Sequence, residues 1–115
     1  METTETTRQQ KISKQIQRDI AEILQKDYRE RFKGLLVTVT AVRVSPDFSY
    51  SKIYVSVFPF SQSEAVLEAL KHENWAIRKS LGARIKHQIK SVPEIDFFID
   101  DSLEYIENID KAINR

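Results

Sequence analysis

Ten side chains on two predicted helices have the types and spacing that suit binding to nucleic acid. Lysine and arginine recur there on helix faces that point away from the apolar positions, and Arg78 and Arg84 flank the second apolar stripe, from which they could reach around it. Cations spaced three or four residues apart can follow a line of phosphates, because each contact releases counterions. The set consists of Lys11, Lys14, Arg18, Asn74, Trp75, Arg78, Lys79, Arg84, Lys86 and Lys90.

Aromatic side chains close to these cations could stack on unpaired bases. Tyr50, Tyr54 and Phe58 fall on the non-core side of a predicted strand, and Trp75 falls at a predicted helix break. Interior packing is the competing interpretation for each ring. For the cations the competing interpretation is a scattered, solvated surface, since clustering in sequence need not mean clustering in space.

Residues that would support catalysis or metal binding are few. The chain has Cys 0 and Gly 2, which excludes thiol nucleophiles, cysteine-ligated metals and a glycine-rich phosphate loop. His72 and His87 lack the i, i+4 spacing of a helical metal site. Asp100 and Asp101 could bind Mg²⁺, although an acidic pair also suits a helix N-terminus. We therefore expect neither an enzyme nor a cofactor, and a magnesium-dependent nuclease is an alternative hypothesis.

Charge is distributed unevenly along the 115 residues, although the formal net charge is only +1. Residues 8–90 carry 16 Lys and Arg against 8 Asp and Glu, whereas residues 91–115 carry 2 against 7. A basic body with an acidic end creates a local field that matters more for binding than the total charge. No apolar run approaches a membrane span and residues 1–7 lack the features of a secretory signal, so we expect a cytoplasmic location and no membrane or small-molecule partner.

The first predicted helix runs from Arg8 to about Asp27. Its apolar residues recur at intervals of three and four, which places them on one stripe. The stripe is Ile12, Ile16, Ile20, Ile23 and Leu24. At about 100° per residue, Lys11, Lys14 and Arg18 lie opposite the stripe.

Two strands and a tight turn follow. Leu35 to Val44 is rich in β-branched residues, Ser45-Pro46-Asp47 signals a turn, and Tyr50 to Phe58 alternates again. The short connection predicts an antiparallel hairpin. The predicted inward face of the first strand is Val37, Val39 and Ala41, and that of the second is Ile53, Val55 and Val57.

The second half of the chain alternates between helical and strand patterns. A helix capped by Ser63 is predicted to break at His72-Glu73-Asn74 and to resume up to about Ile89, with a stripe of apolar residues at every fourth position. That stripe is Ile77, Leu81, Ile85 and Ile89. A third strand holds Ile95, Phe97 and Ile99, and a last helix begins where Asp101 and Glu104 have the spacing of a capping box.

These elements predict a two-layer α+β domain in which helices cover a three-stranded sheet. The order is α-β-β-α-α-β with a C-terminal helix. We expect a flexible leader over residues 1–7, the domain over residues 8–100, and a helix over residues 101–115 that packs on the domain or extends it.

The order of elements matches the type-II KH arrangement, which is an RNA-binding fold, and local segments resemble the ribosome-binding factor A family over roughly residues 8–113. Their order and spacing carry the resemblance. The segments are Arg8-Gln9-Gln10-Lys11-Ile12, Val42-Arg43-Val44-Ser45-Pro46-Asp47, Tyr50-Ser51-Lys52-Ile53-Tyr54-Val55-Ser56 and Val92-Pro93-Glu94-Ile95-Asp96-Phe97-Phe98-Ile99-Asp100-Asp101-Ser102.

The resemblance implies a bacterial assembly factor that is not an enzyme. Such a protein binds the immature 30S subunit, assists late maturation and 5′ end processing of 16S rRNA, and matters most in the cold. Its partners would be 16S rRNA and the precursor 30S subunit, and we expect a monomer. The family has a kinked Ala-x-Gly between two helices, and that site falls on Glu73-Asn74-Trp75 here.

A different class of function remains as an alternative. The last predicted helix carries Leu103, Ile106 and Ile109 on one side. This apolar side would let the chain act as a protein–protein adaptor.

Overall fold

The computed structural model describes residues 5–113 of the chain, and the side chains of residues 5–109. The order of helices and strands is the predicted one, with a short 3-10 helix added after the second strand. The elements are α1 (Thr7–Asp27), β1 (Leu36–Val44), β2 (Tyr50–Phe58), a 3-10 helix (Phe60–Gln62), α2 (Ser63–His72), α3 (Asn74–Ile85), β3 (Glu94–Ile99) and α4 (Ser102–Ile113).

The sheet has the strand order β1-β2-β3. β1 and β2 pair antiparallel, as the hairpin prediction required. β2 and β3 pair parallel, which needs a long crossover, and α2 and α3 provide it. The α+β class and the three-stranded sheet are thus confirmed, and the topology is consistent with a type-II KH-like arrangement.

A β-bulge in β1 changes which residues point inward. The register shifts between Val39 and Ala41, so an extra residue, Thr40, enters the strand and reverses its alternation. The buried residues are Val39, Val42 and Val44, and the prediction that Ala41 lies on the inward face is wrong.

The core lies between the helices and one face of the sheet. The predicted stripes of α1 and α3 are buried there, with Ile16, Ile20 and Ile77 at 0% exposure. They pack in one cluster with the inward residues of β2, such as Ile53 and Val55. Burial of these side chains, each worth roughly 1.5–3 kcal/mol, holds the helical layer on the sheet.

The helix ends differ in detail from the predicted ones. Thr6 and Gln9 form a capping box at α1, so α1 begins at Thr7, and residues 1–4 of the expected leader lie outside the described residues. Ser63 does not cap α2 through its side chain but is its first residue, preceded by the 3-10 helix. At α4 the cap comes from Asp100, one residue before the predicted one, and its carboxylate accepts from the Ser102 amide at 3.0 Å.

Gly82 lets a following segment approach α3 closely. A Cβ at Gly82 would lie 2.9 Å from Cγ2 of Val92. The missing side chain therefore gives room for the segment that leads from α3 into β3.

Candidate nucleic-acid interface

A single residue, Glu73, separates α2 from α3, so the predicted break is confirmed. Its carboxylate accepts a hydrogen bond from the Tyr28 hydroxyl at 3.0 Å and lies 3.5 Å from Arg31. The Tyr28 bond is the main cause that lowers the pKa of Glu73. Burial, and then the same bond, raise the pKa of Tyr28 to about 12. The break is thus fixed from the side by the loop that follows α1.

Two of the predicted contact residues hold the break against β3. Asn74 donates to the Ile95 carbonyl at 2.8 Å. One turn later, Arg78 donates to the carbonyls of Pro93 at 3.0 Å and Val92 at 2.8 Å. Both side chains are half-buried, and their donors are directed at the chain's own backbone rather than at solvent.

Trp75 lies at the start of α3 and is 72% exposed. The competing interpretation of interior packing is therefore wrong for this ring. The ammonium of Lys79, one turn later, lies 5.2 Å from the ring centroid. An exposed indole beside a cation is a surface on which a base can stack while its phosphate is neutralised.

The cations of α1 lie where the helical spacing predicted. Lys11, Lys14 and Arg18 are exposed, on the side opposite the buried stripe. We call these three the α1 strip. The guanidinium of Arg18 donates to Oε1 of Gln15, one turn earlier on the same helix, at 2.8 Å.

Lys79 and Lys86 form a corresponding α3 strip, and both are exposed. α3 ends at Ile85 and not near Ile89, so Lys86 caps the helix and Lys90 lies in the turns that follow it. Ile89 is nevertheless buried, which anchors these turns to the core and leaves Lys90 exposed.

The two strips lie on the outer surfaces of neighbouring helices. α1 packs against α3, and the buried stripes of both helices face the same core cluster. Each strip lies opposite its own buried stripe, so both point outward from the helical layer.

Among the predicted cations, Arg84 is the one that the described structure pairs with carboxylates. Its Nη1 donates to Glu22 at 2.7 Å and lies 3.6 Å from Asp19. The bond to Arg84 lowers the pKa of Glu22, and the bond to Glu22 raises the pKa of Arg84. Arg84 therefore joins α3 to α1, and these two carboxylates compensate its charge. They also bring negative charge to the space between the α1 strip and the α3 strip.

The opposite face of the sheet carries an aromatic cluster that the sequence interpretation did not assemble. Tyr54 lies against Phe98 at 5.6 Å between ring centroids, and Lys52 lies 5.8 Å from the Phe98 centroid. The sequence signal for this cluster was strand alternation: because Phe97 faces the core, Phe98 must lie on the opposite face of the sheet. Tyr50 donates to Asp96 at 2.8 Å, so this face mixes aromatic and acidic groups.

A shallow groove of about 330 Å³ lies beside the helix break. Lys71, Asn74 and Arg78 line one side of it, and Glu94 and Asp96 line the other. Lys71 was not among the predicted contacts, although its place two residues before the break is visible in the sequence.

The described part of the chain contains neither a cluster of metal-ligating side chains nor a membrane-spanning helix. Residues 5–109 contain no group of three or more metal-ligating side chains. Asp100 accepts from Thr40 at 2.7 Å and from the Ser102 hydroxyl at 2.6 Å, bonds that also hold its pKa below the ordinary value. No helix among the described residues has the length and apolar character needed to cross a bilayer.

Comparison with known proteins identifies a family. The family model described as Ribosome-binding factor A matches residues 8–113. A Ribosome-binding factor A of Christiangramia forsetii is 42% identical over 110 residues, which cover 95% of this chain and 84% of the relative. One from Flavobacterium johnsoniae is 41% identical, covering 95% and 85%.

Solved structures agree with the sequence comparison. The crystal structure of ribosome-binding factor A from Thermus thermophilus superposes with a TM-score of 0.68 at 28% identity, covering 79% of this chain and 94% of that one. A homology model of the Thermus thermophilus protein, fitted into a cryo-EM map of a 30S complex, gives a TM-score of 0.64 at 29% identity, covering 77% and 91%. With the family model spanning nearly the whole chain, this protein belongs to the ribosome-binding factor A family.

Proposed function

We propose that this protein binds the immature 30S ribosomal subunit through the outer surface of α1 and α3, and that it assists late maturation and 5′ end processing of 16S rRNA. It acts by position and not by catalysis, holding a segment of rRNA in one arrangement until processing is complete. Its place of action is the cytoplasm, where it works as a monomer.

The observation that supports the proposal is a set of exposed cations on the outer surfaces of α1 and α3 that make no salt bridge within the described range. Lys11, Lys14, Arg18, Lys79 and Lys86 are exposed, and none of them has a salt bridge to another residue in the described range 5–109. Cations without a carboxylate partner remain available to neutralise phosphates.

The remaining predicted contacts have distinct roles in the proposal. Trp75 stacks on an unpaired base, with Lys79 against the adjacent phosphate. Asn74 and Arg78 position Trp75 by fixing the start of α3 to β3 and to the segment before it, respectively. Arg84 positions the two helices relative to each other, and Lys90 extends the basic surface beyond α3.

Acidic groups discourage binding through other surfaces. The β3 strand and the start of α4 expose Glu94, Asp96 and Asp101. Repulsion between these carboxylates and phosphates directs RNA towards the helical layer.

The test is co-sedimentation with small subunits purified from cells, over a series of salt concentrations. The variant Lys14→Glu with Lys79→Glu reverses one charge on each strip. The control Lys52→Glu reverses a single charge on the opposite face of the sheet, and the single variants Lys14→Glu and Lys79→Glu are its matched counterparts. We expect the double variant to lose affinity and salt dependence while the control keeps both; equal loss in the two would overturn the proposal.

The adaptor remains the second candidate because α4 exposes its apolar side. Leu103 and Ile106 are 60% and 59% exposed. Replacing both with Gln separates the two functions. If the variant keeps its affinity for naked rRNA but no longer sediments with subunits, α4 binds a ribosomal protein and the adaptor hypothesis is favoured.

A further inference from the structure

Side chains of α1 cover two of the backbone acceptors along the outer edge of β1. Gln9 of α1 donates to the Val44 carbonyl at 3.0 Å, and Gln17, two turns later, donates to the Val39 carbonyl at 3.1 Å. An edge strand with occupied acceptors is a poor template for pairing with another chain. α1 thus occupies the outward carbonyls of Val44 and Val39, whereas among the described residues no side chain bonds to the Val42 backbone between them.

The hydrogen bonds from α1 do not extend to the first residues of β1. The Val55 carbonyl accepts from the Asp100 amide on the side of β3, so Val39, its partner in β1, directs its backbone groups outward. Antiparallel pairing alternates, so Val37 directs its N–H and C=O outward as well. Among the described residues, no side chain makes a hydrogen bond to the Val37 backbone.

The reason for the gap lies in α1. Gln25 follows Gln17 by the same eight residues that separate Gln17 from Gln9, but it makes no hydrogen bond to β1 in the described structure. Ala21, between them, is too small to fill the space. A groove of about 560 Å³ therefore opens between the last turns of α1, the loop after it and the edge of β1.

The lining of the groove is apolar and basic. Tyr28, Phe32, Leu35 and Leu36 contribute apolar surface, and Arg29 and Lys33 contribute positive charge. None of the groove-lining residues is Asp or Glu, and none is among the proposed RNA contacts.

We propose that this groove binds an extended peptide segment of a partner protein, which adds as a fourth strand to the edge of β1 at Leu36–Thr38. The open N–H and C=O of Val37 would pair with the peptide backbone, as in other cases of strand addition. Alternate side chains of the peptide would be apolar, to pack on Phe32 and Leu35, and acidic, to meet Arg29 and Lys33.

Three other occupants fit the groove less well. RNA would leave the apolar lining without a matching surface. A second copy pairing through its own β1 would bring two sets of Arg29 and Lys33 together. Residues 1–4 of the same chain span at most about 14 Å, whereas the groove begins at Ala21, about 21 Å along α1 from Thr7.

The experiment selects peptides from a random dodecamer library displayed on phage, using the full chain, and titrates the selected synthetic peptides against purified variants. Ala21→Trp fills the groove from an exposed position. Arg29→Glu with Lys33→Glu reverses its charge, so the proposal stays testable if the tryptophan variant fails to fold. Lys26→Glu is the control, because it changes a cation of α1 that does not line the groove.

We expect selected peptides to alternate apolar and acidic residues, to bind at least about tenfold more weakly to both groove variants, and to bind the control unchanged. Hydrogen exchange of the Val37 amide should slow when such a peptide is bound. The proposal is overturned if no such peptides are enriched or if the groove variants bind them normally. Protection of Val37 by a single-stranded RNA, or by self-association of the protein alone, overturns it too.

Discussion

The guanidinium of Arg84 on α3 donates across 2.7 Å to the carboxylate of Glu22 on α1, a residue 62 positions earlier in the chain. This bond joins the two helices that carry the proposed RNA contacts. It also compensates the charge of Arg84, so this arginine differs from the exposed lysines around it.

Replacing Arg84 should therefore change RNA binding less than replacing a lysine of either strip. We expect Arg84→Gln to leave the salt dependence of subunit binding unchanged. Lys14→Gln and Lys79→Gln should each reduce the slope of log K against log salt by about 0.7–0.9. Filter binding at several salt concentrations measures the slope, and a reduction for Arg84→Gln as large as for Lys79→Gln would assign Arg84 to the interface.

Trp75 should contribute to binding without contributing to folding. Because its ring is 72% exposed, Trp75→Ala should leave the Tm nearly unchanged, while the loss of stacking should cost about 1–3 kcal/mol in RNA affinity. Tyr105→Ala, an exposed aromatic on α4, is the matched control. Trp75 is also the single tryptophan of the chain, so quenching of its fluorescence reports binding directly in the parent protein.

Asn74, unlike Trp75, should contribute to the stability of the fold. Asn74→Ala removes the donor to the Ile95 carbonyl and should lower the free energy of unfolding by about 1 kcal/mol. Urea unfolding measures this value, with Asn108→Ala on the exposed surface of α4 as the control. An unchanged stability would mean that the bond to β3 does not hold the break.

The close approach at Gly82 predicts an unusual response to alanine. In an open helix position, Gly→Ala stabilises by up to about 1 kcal/mol. Here the new Cβ would lie 2.9 Å from Val92, so we expect Gly82→Ala to destabilise by about 1–3 kcal/mol. Val92→Ala in the same chain should relieve most of this loss, and a double-mutant cycle measures the coupling. A stabilising effect of Gly82→Ala alone would contradict the packing.

Tyr28 predicts a loss of stability at alkaline pH. Its pKa is raised from 10.0 to about 12 in the folded protein, so the folded state favours the protonated phenol. This contribution is fully present below pH 10 and is lost as the pH rises towards 12. Tyr28→Phe, which cannot ionise, should therefore show a flatter stability profile over that interval. Urea unfolding at several alkaline pH values compares the two, and parallel profiles would show that Tyr28 is not linked to folding.

Local periodicity predicts the elements well because each stripe is determined within its own helix or strand. The isoleucines of α1 and the residues of α3 at every fourth position are buried as their spacing requires. The bulge at Thr40 is different, since a Val-Thr alternation suits either phase and only pairing with β2 decides between them. Ala41 was assigned to the wrong face for that reason.

In the candidate site, too, some features follow from local spacing and others depend on how distant segments pack. Exposure of the α1 strip follows from the helical spacing, because it depends only on which side of α1 is apolar. The bonds of Arg84 to Glu22 and of Arg78 to the Val92 carbonyl depend on how distant segments pack. Helical spacing places both arginines beside the apolar stripe of α3 but does not identify their partners, so the sequence interpretation grouped them with the exposed lysines.

The glutamines along β1 also bear on how the protein behaves when it is concentrated. Fibrils grow when exposed strands recruit one another in register. With Gln9 and Gln17 bound to Val44 and Val39, two outward carbonyls of β1 are unavailable for such growth. A strand from a neighbouring molecule could therefore not form a continuous ladder along the whole of this edge.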